Sequence, residues 1–267
     1  VGKNFPGAVV GVVVGGDIVH LAGYGFADID RRIKMDPNLT ITRLGSSSEF
    51  LTAIVSLSAA ENSLLNFHKD VRPTLIESGI DINSSAKITV HQLLTHTSGL
   101  GDRLLGQNVR DVDNIGSSDS FFAKSMPPIL LPPGTAIIPS SLAFSLTGLV
   151  LEHSSGRSFA QLSNDLVFNQ LGMTRTTFDP LLIHEWKKDL ANSHILKKDS
   201  FSQVDLGHSM VSPSSGAVST AFDMSQLLSS LFKDDAGAID SDAIKVLTSR
   251  QASNFREMHG RSYGFYE

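Results

Sequence analysis

The chain of 267 residues has no cysteine, one tryptophan and three tyrosines. Without cysteine there can be no disulfide, no thiolate nucleophile and no thiolate-bound metal. Concentrated positive charge is also missing. Lys and Arg number 22 against 27 Asp and Glu, for a net charge of −5, and no cluster of five basic residues occurs. That balance provides no electrostatic footprint for nucleic acid or an anionic membrane, so neither is expected as a partner. The nine histidines never recur at H-x-x-x-H or H-E-x-x-H spacing. No helical face therefore offers two imidazole ligands, and neither a metal nor another cofactor is expected. The longest near-apolar run, Gly7 to Gly16, is far shorter than the roughly 20 residues a membrane-spanning helix needs.

The sequence does contain an ordinary globular balance, with 41% apolar and 18% charged residues, and it is long enough to bury a substantial core. The β-branched runs 8–14 and 18–24 flank Gly15-Gly16-Asp17, which predicts a β-hairpin. From Phe50 the apolar positions recur at helical spacing, predicting an amphipathic helix over 46–61. Further helices are expected at 88–95, 142–154, 158–170, 220–232 and 241–250, and no strand pair stands out between 62 and 205. Two strands alone are marginal in water. After residue 24, only Tyr263-Gly264-Phe265-Tyr266 reads as the start of another strand.

Six segments, in order and spanning almost the whole chain, carry a resemblance. They are PGAVVGVVVGGDIVHLAGYGFAD (6–28), RLGSSSEFLTA (43–53), ITVHQLLTHTSGL (88–100), PPGTAIIPSSLAFSLTGLVLE (132–152), FNQLGMTRTTF (168–178) and SSGAVSTAFDMSQLL (214–228). Together they resemble the serine β-lactamase-like family, which includes class C β-lactamases, low-molecular-weight penicillin-binding proteins and family VIII esterases. The resemblance implies one α+β domain of the β-lactamase/transpeptidase type: an antiparallel sheet flanked by helices (1–61 and 206–267), with an inserted helical lobe (62–205). It also implies an active site in the cleft between the lobes. The family's chemistry uses a nucleophilic Ser, a Lys one helical turn later, a Tyr in a Y-x-N motif and a late K/H-x-G motif. A serine hydroxyl is a weak nucleophile until a neighbouring base takes its proton.

Carried over position by position, the nucleophile falls on Ser46 and the lysine position on Glu49. The Tyr position is Pro139 and the Asn position is Ser141. S-x-x-K occurs only at Ser84/Lys87 and Ser230/Lys233, neither in the expected setting, and the third motif has no candidate. The expectation is a catalytically degenerate domain acting as a binding or structural module within a larger assembly. The alternative is a serine hydrolase that acts through Ser46, with Glu49 as a general base of raised pKa.

Ser46-x-x-Glu49 also fits a capping box that starts the first helix. Pro139, with no hydroxyl and no backbone N–H, reads as a turn. His96 and Thr97 read as a structural turn with Gly99 as the helix C-cap, and His20 as a half-exposed sheet residue. The missing strands are expected from a C-terminal continuation or a partner polypeptide that pairs with the edge of strand 8–14, because a bare apolar edge invites association.

Overall fold

The computed structural model describes residues 4–103, 105–198, 200–233, 239–255, 257 and 259–266. The expected hairpin is present as β1 (Gly7–Val14) and β2 (Asp17–Asp28), antiparallel, with Val10 opposite Ala22 and Val12 opposite His20. A short β3 (Ile33–Lys34) pairs with the far side of β2, so the sheet order is β1-β2-β3. Among the described residues the outer edge of β1 has no strand neighbour.

The chain continues through β4 (Thr42–Arg43), α1 (Ser48–Glu61), α2 (Arg72–Glu77), α3 (Val90–Leu94), β5 (Asn108–Val109), α4 (Ser118–Ser125), α5 (Ser141–Ser155), α6 (Phe159–Ser163) and α7 (Pro180–Glu185). It then forms the hairpin β6 (Ser193–Lys197) and β7 (Ser200–Val204), followed by β8 (His208–Ser209), α8 (Ser212–Ser215), β9 (Val218–Ser219), α9 (Ala221–Leu231) and α10 (Ser241–Thr248). Two-residue ladders join β4 to β9 and β5 to β8. The architecture is the α+β arrangement of antiparallel strands and flanking helices.

Helices fall where periodicity placed them, with three corrections. The first helix is not amphipathic: every residue from Leu51 to Ala59 is buried, because α1 is enclosed by α5, α6 and α8. Its polar positions are satisfied internally. Thr52 donates to the Pro213 carbonyl at 2.6 Å and Ser56 to the Thr52 carbonyl at 2.7 Å, as buried hydroxyls require. The β6–β7 hairpin was missed, since Lys197-Lys198 and exposed Ile195 and Leu196 disguise its alternation. The segment 263–266 is not a strand. Isolated bridges join Ala252 to Arg261 and Arg261 to Tyr266, and the segment touches α1 through the Phe265 ring, 4.6 Å from that of Phe50.

One face of the hairpin packs on α9, where Gly11 lies so close to Ser225 that a Cβ would meet its Oγ at 2.2 Å. The other face leaves Val10, Val12 and Val14 at 38%, 40% and 61% exposure. Apolar residues of α1, α3 and α5, among them Leu51, Ile54, Leu93, Phe144 and Leu146, form the main core. Each such side chain contributes about 1.5–3 kcal/mol by leaving water.

Gly99 is not a helix C-cap. Thr95 caps α3, and Gly99 instead occupies the left-handed region at φ 72°, where a Cβ would lie 1.9 Å from the Leu131 carbonyl oxygen. Gly99→Ala is therefore expected to destabilise the fold by about 1–3 kcal/mol, read as a lower urea midpoint with unchanged slope.

Candidate active site

The start of α1 is set by Gly45, whose φ of 54° turns the chain into a single 3₁₀ turn, Gly45–Ser47. Ser46 lies within that turn, exposed, and its hydroxyl makes no hydrogen bond among the described residues. The capping box does not form. α1 begins two residues later, at Ser48, and its N-cap Ser47 makes no side-chain cap bond. Ser48 is fully buried, and its hydroxyl accepts the Ala217 N–H at 3.0 Å. Freed from capping, the Glu49 side chain, 15% exposed, turns into the protein.

The turn after α3 and the start of α5 meet Glu49 there. His96 adopts a left-handed backbone, φ 58°, held by its carbonyl accepting the Ile138 N–H at 2.8 Å. Its Nδ1 accepts the Ser140 N–H at 3.1 Å, so the ring proton sits on Nε2, which lies 3.9 Å from the Glu49 carboxylate. Asp102 supplies the α5 cap that Ser140 does not, accepting the N–H groups of Ser141 and Leu142 at 3.2 and 3.4 Å. The Ser141 side chain is close enough to act on the Glu49 carboxylate, lowering its pKa. Pro139, exposed and two residues ahead of α5, contributes neither a hydroxyl nor an N–H.

The fifth group is Arg261, 7% exposed. Its guanidinium carbon sits 3.3 Å from the centre of the Tyr266 ring, a cation–π arrangement. The surroundings tune both central groups. Burial pushes the Glu49 carboxyl up to about 6, with the Ser141 side chain and the Arg261 charge opposing. Burial, reinforced by Arg261, brings the His96 imidazole down to about 4. Near neutral pH the Glu49–His96 contact is thus a carboxylate facing a neutral N–H, not an ion pair.

Of the residues singled out from the sequence, the structure places Ser141 near Glu49, and neither Ser46 nor Pro139 makes a hydrogen bond to either. His96, read as purely structural, proves to face Glu49. Asp102 and Arg261 carried no sequence signal beyond Asp102 lying two residues past the HTSGL segment. No group of three His, Asp or Glu side chains among the described residues could hold a metal, and no helix there is long and apolar enough to cross a membrane.

A three-stranded antiparallel sheet backed by helices, with a serine turn opening a buried central helix opposite the start of α5, is the arrangement of the β-lactamase/transpeptidase-like fold. The Beta-lactamase family model matches residues 2–265, and the chain belongs to that family. Among curated relatives it is 26% identical over 176 residues to Protein flp of Staphylococcus aureus (strain N315), covering 66% of this chain and 35% of that protein. It is 29% identical over 189 residues to Esterase EstB of Burkholderia gladioli, covering 64% of this chain and 46% of that protein. The chain thus spans less than half the length of these relatives. Among solved structures, the octameric penicillin-binding protein homologue from Pyrococcus abyssi superposes with a TM-score of 0.82 at 22% identity, covering 98% of this chain and 60% of that one. EstCE1, a hydrolase with promiscuous acyltransferase activity, gives 0.81 at 19% identity, covering 98% and 77%. At those identities the superpositions speak for the fold alone.

Proposed function

We propose that this domain is a catalytically silent member of its family that serves as a binding or structural module within a larger assembly. One observation carries this reading. The group proposed for the family's lysine position is a largely buried carboxylate facing His96 Nε2 at 3.9 Å, and the Ser46 hydroxyl makes no hydrogen bond to it or to any other described residue. A hydroxyl without a base in hydrogen-bond reach is not activated. A fluorophosphonate probe followed by intact-mass measurement tests it. No stoichiometric adduct is expected, and rapid labelling abolished by Ser46→Ala would overturn the reading.

A second reading, a slow serine hydrolase, draws on the exposure of Ser46 and on Glu49 titrating near 6, where a carboxylate can act as general base. Its signature is a rate that rises with pH through about 6, as Glu49 ionises, and falls ~10²–10⁴-fold in Glu49→Gln. A flat pH profile for any residual hydrolysis excludes it.

The open edge of β1 supports the partner side of the proposal. GAVVGVVV has no charged residue to discourage pairing, so an antiparallel strand from a further polypeptide segment adds there. Val12→Lys is expected to reduce association of the isolated chain in light scattering, and unchanged association would argue against use of this edge.

A further inference from the structure

A cavity of about 280 Å³ lies behind the loop that leads to Pro139, lined by His91, Gln92, Thr97, Thr135, Gln251 and Ser253 among others. Its hydrogen-bond inventory is unusual. Tyr263, 3% exposed, places its hydroxyl 2.7 Å from His91 Nδ1, and that hydroxyl has no other hydrogen-bond partner among the described residues. Burial pushes that phenol up to about 12, so it keeps its proton. A buried hydroxyl proton needs an acceptor, so Tyr263 donates to Nδ1 and the ring proton of His91 is fixed on Nε2. Burial and neighbouring His68 lower the His91 pKa, which favours a neutral ring.

Gln92 accepts the Thr89 N–H with its carbonyl oxygen at 3.0 Å. Its NH₂ lies beside Gly134 and makes no hydrogen bond among the described residues. Thr95 gives its proton to the His91 carbonyl, so Thr97 gives its own to Thr95 at 2.9 Å and keeps its lone pairs free. Thr135 likewise spends its proton on the Pro132 carbonyl. The lining therefore combines neutral donors and neutral acceptors, and among the described residues no Asp, Glu, Lys or Arg contributes to it.

We propose that this cavity binds a small, uncharged, hydroxyl-rich molecule, a polyol or monosaccharide. A charged ligand would leave water with no counter-charge to meet it. An apolar one would strand the His91 and Gln92 donors unpaired. The volume stands at the lower limit of ligand sites, about 300 Å³, which admits only small molecules.

The test is histidine side-chain ¹H–¹⁵N NMR of the whole chain during titration with glucose, with sodium acetate and tetramethylammonium chloride as charged comparisons. The expected result is a saturable shift of the His91 resonances at a Kd on the order of 1 mM, with His96 unmoved and the two salts without effect. Tyr263→Phe removes the proton that fixes the His91 tautomer and should weaken binding about tenfold. If that variant does not fold, Thr135→Val on its exposed loop should weaken glucose several-fold. No saturable shift, an equal response to acetate, or a shift of His96 in place of His91 overturns the proposal. So does undiminished binding in a folded Tyr263→Phe or Thr135→Val protein.

Discussion

Replacing Glu49 by Gln will stabilise the domain by about 2 kcal/mol at pH 7.5 and by almost nothing at pH 4. The carboxyl titrates near 6 in the folded protein against an ordinary 4.5. A carboxyl raised on folding favours the native state below its unfolded pKa, and that contribution is lost as pH rises through the folded value. At pH 7.5 the buried charge is therefore a standing penalty, and at pH 4 it is already neutralised. The side chain is only 15% exposed, so solvent screening takes little from the figure. Gln keeps the shape and can still accept from Ser141. Urea unfolding at the two pH values reads the difference, and an equal effect at both would show that Glu49 is not held protonated by its surroundings.

His96 works in the opposite direction. Its folded value near 4 lies below the ordinary 6.5, so its neutral form adds stability above pH 6.5 that drains away as pH falls towards 4. In the wild-type protein the Glu49 gain and the His96 loss overlap between pH 6.5 and 4. Glu49→Gln removes the first and leaves the second, so the variant should lose stability on acidification more steeply than the wild type.

These two groups also show where the sequence was legible. The β1–β2 hairpin and the helices α1, α5, α9 and α10 were readable because each is set by local periodicity and local turn chemistry. The proposed family positions at Glu49 and Pro139 rest on the order of the motifs around them. The cluster itself was not. His96 reaches Glu49 only because a left-handed residue and the Ser140 N–H aim its ring. Arg261 arrives from more than two hundred residues away, just ahead of the segment 263–266 that reads as the start of a strand. The capping box failed for a related reason: Ser-x-x-Glu fits a helix start locally, but Gly45 inserts a 3₁₀ turn that moves the start two residues on. Long-range packing decided the first and the conformation of one glycine the second, and no spacing in the sequence encodes either.

If the domain is silent as proposed, the family chemistry should appear only when three positions change together. Glu49→Lys alone puts an amine one helical turn from Ser46 but places it beside the positive charge of Arg261, which already acts on this position, and it provides no phenol to relay the proton. Pro139→Tyr alone returns a phenol with no amine to exchange protons with. Glu49→Lys with Pro139→Tyr and Arg261→Met supplies both proton-handling groups and removes the opposing cation. Fluorophosphonate labelling of Ser46 in that triple variant is expected to exceed the wild type by at least ~10²-fold, the lower end of what a restored general base contributes. Because such groups act as a unit, each single variant should remain within a few-fold of wild type. Full labelling by Glu49→Lys alone would show that Pro139 never limited the chemistry. A silent but folded triple variant would place the missing element outside these three positions, in the oxyanion donors that a third motif normally positions.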